Sequence, residues 1–129
     1  MNNKIENILA TDINFLKLKV STLSNKDLVD SFKHAFMTIN DYKPDNEWDK
    51  YQILDYSKCY IDELQNRLTK GSSRVVYDFA KLLQNLMKTD SSSIDNSYYT
   101  LNLVRLYSFC VTIMQKRKLP QQQIKKEFL

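Results

Sequence analysis

His34 is the only histidine in this chain of 129 residues, and Cys59 and Cys110 are its only cysteines. These three residues set the reach of any nucleophilic or zinc chemistry. A serine- or cysteine-based nucleophile needs a histidine beside it and an acid to orient the ring. The nearest polar neighbours of His34 in the chain are Asp30, Lys33 and Thr38, and no nucleophile is placed by spacing. On a helix His34 falls opposite the stripe Leu28, Phe32 and Phe36, so it is expected in water. Structural zinc needs four ligands at tight spacing. The two cysteines fall on separate helical segments, with no Cys-x-x-Cys and no nearby histidine.

Cys110 lies between Phe109 and Val111 and reads as a core thiol. Cys59 is expected near a polar edge close to Glu63, where a neighbouring acid raises a thiol pKa and weakens the nucleophile. Asp55, Asp62 and Glu63 are the remaining group with catalytic potential. A di-metal carboxylate bundle would aim Glu-x-x-His pairs into its core. None occurs, and these acids share the polar side of their helix. A single glycine, Gly71, excludes the phosphate-cradling and dinucleotide-binding loops, which require several at fixed offsets. No arginine precedes His34 at the Arg-x(4–6)-His spacing of helical ribonucleases. The expectation is no catalysis, no metal and no cofactor.

The elements that carry these residues are helical. One glycine and two prolines cannot supply the turns that a β-rich fold needs every 8–12 residues or so. Five periodic segments are predicted. The first spans 4–23, with Ile5, Ile8, Leu9, Ile13, Leu16, Val20 and Leu23 on one face. The second spans 24–40; Ser24 is its N-cap, with Asp27 three residues on, and its inner face is Leu28, Phe32, Ala35, Phe36 and Ile39. Tyr42-Lys43-Pro44 connects it to the third, which reaches Lys70. The third helix's inner stripe is expected at Leu54, Ile61, Leu64 and Leu68, widened by Ile53, Tyr56 and Tyr60. Gly71 is then expected as the residue past its end, with positive φ.

The fourth segment spans 73–88, with Val75, Val76, Phe79, Leu82, Leu83, Leu86 and Met87 on its apolar face. The fifth spans 95–118 and is apolar nearly all round, apart from a seam at Arg105, Ser108, Thr112 and Lys116. Such a helix is expected to be buried on nearly all sides. The predicted fold is therefore all-α: a single compact bundle of five helices across 1–118, with the fifth at its centre. A basic C-terminal extension follows at 119–129 and forms a short sixth turn.

Two kinds of partner remain. Residues 1–104 carry 13 Lys/Arg against 14 Asp/Glu, and residues 105–129 carry 6 against 1. A neutral body with a basic end is the pattern of an electrostatic contact. Lys116, Arg117, Lys118, Lys125 and Lys126 are the candidate phosphate contacts of a nucleic-acid-binding accessory protein. Cations in a last helical turn also offset the helix dipole, and mobile chain ends are often charged. Aromatic residues are enriched in protein-binding patches, and Trp48, on the Asp55/Asp62 side of the third helix, joins Tyr42 and Tyr51 as a candidate cluster. The expectation favours a non-enzymatic adaptor, inhibitor or small subunit that binds another protein, with homodimer formation as one version of that contact. No run approaches the roughly 18 apolar residues of a membrane span. The free thiols and the lack of a signal-like block point to the cytosol, or to a host cell interior for a viral chain.

Overall fold

The computed structural model describes residues 3–89, 97–117 and 121–128. Seven helices lie among them and no strand: α1 Asn3–Ala10, α2 Ile13–Thr22, α3 Asn25–Asn40, α4 Glu47–Lys70, α5 Ser73–Thr89, α6 Tyr98–Lys116 and α7 Gln121–Phe128. The all-α class is as expected, but the count is seven helices rather than five. The expected start of the fifth segment at Asp95 lies outside the described residues, as do Lys118 and Pro120. The chain forms two compact units, Met1–Glu63 and Leu64–Leu129, with the division inside α4.

The extra helix in the first unit comes from a break in the segment expected at 4–23. Asp12 stops α1 from continuing. Its carboxylate accepts from the amides of Asn14 (2.9 Å) and Phe15 (3.2 Å) and caps a new helix. Aspartate competes with the backbone in this way and favours caps over helix interiors. At the break Gln52 of α4 donates through Nε2 to the carbonyls of Ile8, at 3.1 Å, and Thr11, at 2.7 Å, and the Ile8 carbonyl also accepts from Thr11 N at 3.3 Å. Apolar spacing could not reveal the break, because Ile5, Ile8, Leu16 and Val20 are buried on both sides of it. The start at Ser24 is as expected: its Oγ accepts from Asp27 N at 3.1 Å.

The core of this first unit is built on α3. Leu28, Val29, Phe32, Ala35, Phe36 and Ile39 are all buried. The Phe32 and Phe36 ring centroids lie 4.5 Å apart, and Phe36 meets Tyr60 edge to face at 6.5 Å. α4 contributes Ile53, Ser57, Cys59 and Tyr60. That differs from the expected stripe. Leu54 is 48% exposed, and the inward row runs Ile53, Ser57, Tyr60 at i, i+4 and i+7. Ser57 belongs to that row because its Oγ donates back to Ile53 O at 2.8 Å, so the buried hydroxyl is satisfied. Cys59 is likewise buried rather than at a polar edge.

In the second unit, Leu64 and Leu68 continue the same row. α5 packs on α6, and α7 packs on α6. Val76, Phe79, Ala80 and Leu83 of α5 and Leu103, Leu106, Cys110 and Met114 of α6 are buried where the two helices pack. α6 starts at Ser97, whose Oγ accepts from Thr100 N at 3.2 Å. It is not buried all round. Leu101 and Val104 are exposed beside the polar seam of Arg105, Ser108 and Thr112. Asn102, the one buried amide on this helix, donates to Tyr98 O at 2.9 Å.

Gly71 follows α4, and its amide donates to Arg67 O at 2.8 Å. The positive φ expected there is not found; close approach requires the glycine instead. A Cβ would stand 2.5 Å from Arg67 O and 2.9 Å from Val75 Cγ1. Replacing glycine by alanine in open space stabilises a protein by about 0.4–1 kcal/mol through the unfolded chain. Here the obstacle is a backbone carbonyl already engaged in the turn, and forced overpacking costs about 1–3 kcal/mol. Gly71→Ala is therefore expected to lower the urea midpoint with the slope unchanged. A raised midpoint would mean that the turn relaxes freely.

Candidate functional site

Trp48 lies in the first turn of α4, which Asn46 caps: its Oδ1 accepts from Asp49 N at 2.9 Å. The Trp48 side chain is 85% exposed. Tyr51, at i+3, and Leu54, at i+6, are exposed on the same side of the helix, together with Asp55 and Asp62. Tyr42 is not part of this exposed face. It is half-buried, and its phenol donates to Asp49 Oδ2 at 3.2 Å. Burial, then Asp49, raises its pKa. The predicted trio thus separates into two outward aromatics and one that ties the α3–α4 connection to α4.

Sequence reasoning missed a second outward apolar face. On α2, Phe15 is 65% exposed and Leu18 is 70% exposed, and Lys17 and Lys19 are exposed between and beside them. Leu16 and Val20 face the core from the other side of the same helix. The signal was available: Phe15 and Leu18 lie at i, i+3, half a turn away from the Leu16/Val20 stripe. A helix with apolar residues on two opposite faces can bury only one in its own fold.

The basic end is a docked helix rather than a free tail. Ile124 and Phe128 are buried. Tyr107 Oη donates to Phe128 O at 2.6 Å, and Gln84 Nε2 donates to Glu127 O at 2.6 Å. The Phe128 ring meets Tyr77 edge to face at 5.4 Å, with the Lys81 ammonium 5.0 Å from its centroid. Of the candidate phosphate contacts, Lys116, Lys125 and Lys126 are exposed. Arg117 is half-buried and donates to Thr69 O at 3.4 Å, near the end of α4, where a cation closes an unsatisfied carbonyl.

The residues with chemical potential do not assemble. His34 is exposed, on the wall of an open cleft of about 490 Å³ that Lys4, Asn7, Ser31, Thr38, Tyr56 and Tyr60 also line. Ser31 and His34 are neighbours there, one turn apart on α3. Among the described residues no hydrogen bond joins Ser31 Oγ to the imidazole, and no carboxylate lines the cleft to orient the ring. The same residues contain no group of three or more His, Cys, Asp or Glu placed to hold a metal ion. No helix among them is long and apolar enough to cross a membrane.

Both thiols are held protonated. Burial pushes Cys110 up to about 12 from an ordinary 9.0. Burial is also the largest cause of the rise at Cys59, ahead of Asp62 and Asp55, with Lys17 opposing it. The expected direction at Cys59 holds, but solvent exclusion rather than an adjacent acid is the main reason. A raised folded pKa stabilises the fold fully below the unfolded pKa, and that contribution is lost as pH rises through the folded value. The window therefore opens near pH 9 and closes near 12 for Cys110, and half-buried Tyr56 and buried Tyr60 act in the same direction. Stability is expected to hold below the window and to decline through it. A thiol-reactive chromophore should find neither cysteine in the native protein and both after unfolding. Rapid native labelling at neutral pH would contradict this.

Comparison with family models, with curated proteins and with solved structures gives no match for this chain.

Proposed function

We propose that this chain is a non-enzymatic protein-binding module, and that the outward faces of α2 and of the first turns of α4 carry the contact. The observation behind this reading is the exposure of Trp48, Phe15 and Leu18 within one unit of the chain. Single exposed apolar residues are ordinary, whereas large ones gathered on outward helix faces mark interaction sites. Tryptophan and tyrosine are the usual anchors of such contacts, because a large rigid ring buries much area at little entropic cost.

Charge supports a protein partner over a polyanion. Residues 41–49 hold Asp41, Asp45, Glu47 and Asp49 against Lys43 alone, so the surroundings of Trp48 repel phosphate. The basic end offers only a few exposed lysines, enough for weak, salt-sensitive and sequence-independent binding.

The test pairs two assays on the full chain, with Trp48→Glu and Lys125→Glu/Lys126→Glu variants. Immobilised protein is expected to retain a protein partner. Trp48→Glu should weaken retention by about thirtyfold or more, as loss of an anchor residue does, and the double lysine change should leave it intact. Fluorescence anisotropy with labelled RNA and DNA is expected to show no binding. Salt-sensitive nucleic-acid binding that disappears with Lys125 and Lys126 would replace this reading with the accessory-protein one.

A further inference from the structure

The two outward faces of the first unit differ in charge. The α2 face carries Phe15 and Leu18 with Lys17 and Lys19, and α2 contains no acid. The α4 face carries Trp48, Tyr51 and Leu54, and residues 41–49, the connection together with the first turn of α4, hold four acids against one lysine. Among the described residues no ion pair engages Lys17, Lys19, Asp45 or Glu47, and all four are exposed. Each face thus offers apolar area and a charge surplus of the sign the other lacks.

The faces also border each other. Gln52 reaches the carbonyls of Ile8 and Thr11, and Cys59 Sγ lies 4.0 Å from Ile13 O, so these two residues mark the side of α4 that meets the α1–α2 corner. Trp48 and Asp55 stand one turn before Gln52 and Cys59 on that side, since residues four apart share a helix face. The acidic aromatic corner therefore flanks the start of the basic helix. Within one molecule the faces lie side by side and cannot cover each other; between two molecules they can.

We infer that a second copy of this chain covers these surfaces, with the Phe15/Leu18 face of one copy seated on the Trp48/Tyr51 face of the other and Lys17 and Lys19 opposite Asp45 and Glu47. This names a partner for the protein-binding reading and rests on it. Other occupants fit less well. An anionic membrane or a nucleic acid would be attracted by two lysines and repelled by the acids beside Trp48. A two-fold pairing uses each face twice and closes on itself, whereas a head-to-tail pairing continues into larger oligomers.

The test is self-association measured by sedimentation velocity across a wide concentration range. The variants are Lys17→Glu/Lys19→Glu, Asp45→Lys/Glu47→Lys, and the two pairs combined. Circular dichroism confirms folding, because all four residues are exposed. The wild type is expected to associate. Each swap alone should weaken association by about tenfold or more, since it sets like charges against each other. The combined swap should restore it, a rescue that only pairing between these two faces produces. A wild type that stays monomeric throughout, or association indifferent to both swaps, overturns the inference. A monomer that still captures a different protein through Trp48 would leave the binding reading standing and remove only this choice of partner.

Discussion

Phe36→Ala is expected to cost the first unit about 3–5 kcal/mol, the range for removing a fully buried aromatic ring. Phe36 is completely enclosed, with Phe32 4.5 Å away and Tyr60 edge-on at 6.5 Å. The cost has two parts: the transfer of the ring to water on unfolding is lost, and the cavity left behind is only partly filled by relaxation. Phe32 and Leu28 sit on the same helix face and are themselves fully buried, so neither can swing in without leaving a gap elsewhere. Small domains are stable by only about 5–15 kcal/mol, so this one change consumes much of the total. Urea denaturation followed by circular dichroism should show the midpoint fall sharply. A loss below about 1 kcal/mol would mean that the Phe32–Phe36–Tyr60 cluster is not the core that the packing indicates. The conservative Phe36→Leu should recover much of the loss, because it restores most of the volume.

The helical class and the core of α3 were legible in the sequence because its apolar residues fall on one face, and one face is what burial needs. The errors arose where polarity misled. Ser57 was passed over as a core position because it is polar, yet a serine that bonds its own helix backbone at Ile53 O is neutral to burial. Once Ser57 is counted, the row Ile53, Ser57, Tyr60, Leu64, Leu68 is regular and Leu54 falls outside it. The break at Thr11–Asp12 was hidden because its support is tertiary: the carbonyls of Ile8 and Thr11 accept from Gln52, some 40 positions along the chain. On α6, the apolar circumference suggested burial on all sides, but Leu101 and Val104 remain in water. Of the surface assigned to binding, the sequence showed Trp48 and Tyr51. Phe15 and Leu18 were passed over because they lie off the stripe read for 4–23, although their i, i+3 spacing opposite Leu16 and Val20 already marked a second face. The basic end misled in the opposite direction. Its charge drew attention to Lys125 and Lys126, while Ile124 and Phe128 between and beyond them were the residues that decide its structure.

That last point carries the second large effect. Phe128→Ala is expected to destabilise the second unit by about 3 kcal/mol, the low end for a buried aromatic because the residue ends a short helix. The ring is wedged against Tyr77 at 5.4 Å and Tyr107 at 6.3 Å, under the Lys81 ammonium. Its loss removes the larger of the two buried apolar anchors of α7. Ile124 and the bonds to the carbonyls of Glu127 and Phe128 would then have to hold an eight-residue helix, and a helix that short is marginal without packing. Gln84 and Tyr107 would lose their acceptors together and turn to water. Lys125→Ala/Lys126→Ala changes only exposed side chains and is expected within about 0.5 kcal/mol of the wild type. The pair of variants separates anchoring from charge. Hydrogen exchange provides the readout: amides of α7, and those of α5 and α6 beneath it, should lose protection in Phe128→Ala and keep it in the double lysine variant. Equal protection in both would show that α7 contributes nothing to the unit and that its charge is its only asset. Truncating the chain before α7 is for the same reason a poor probe of charge, because it removes Ile124 and Phe128 along with the lysines and exposes the α5–α6 face that they cover.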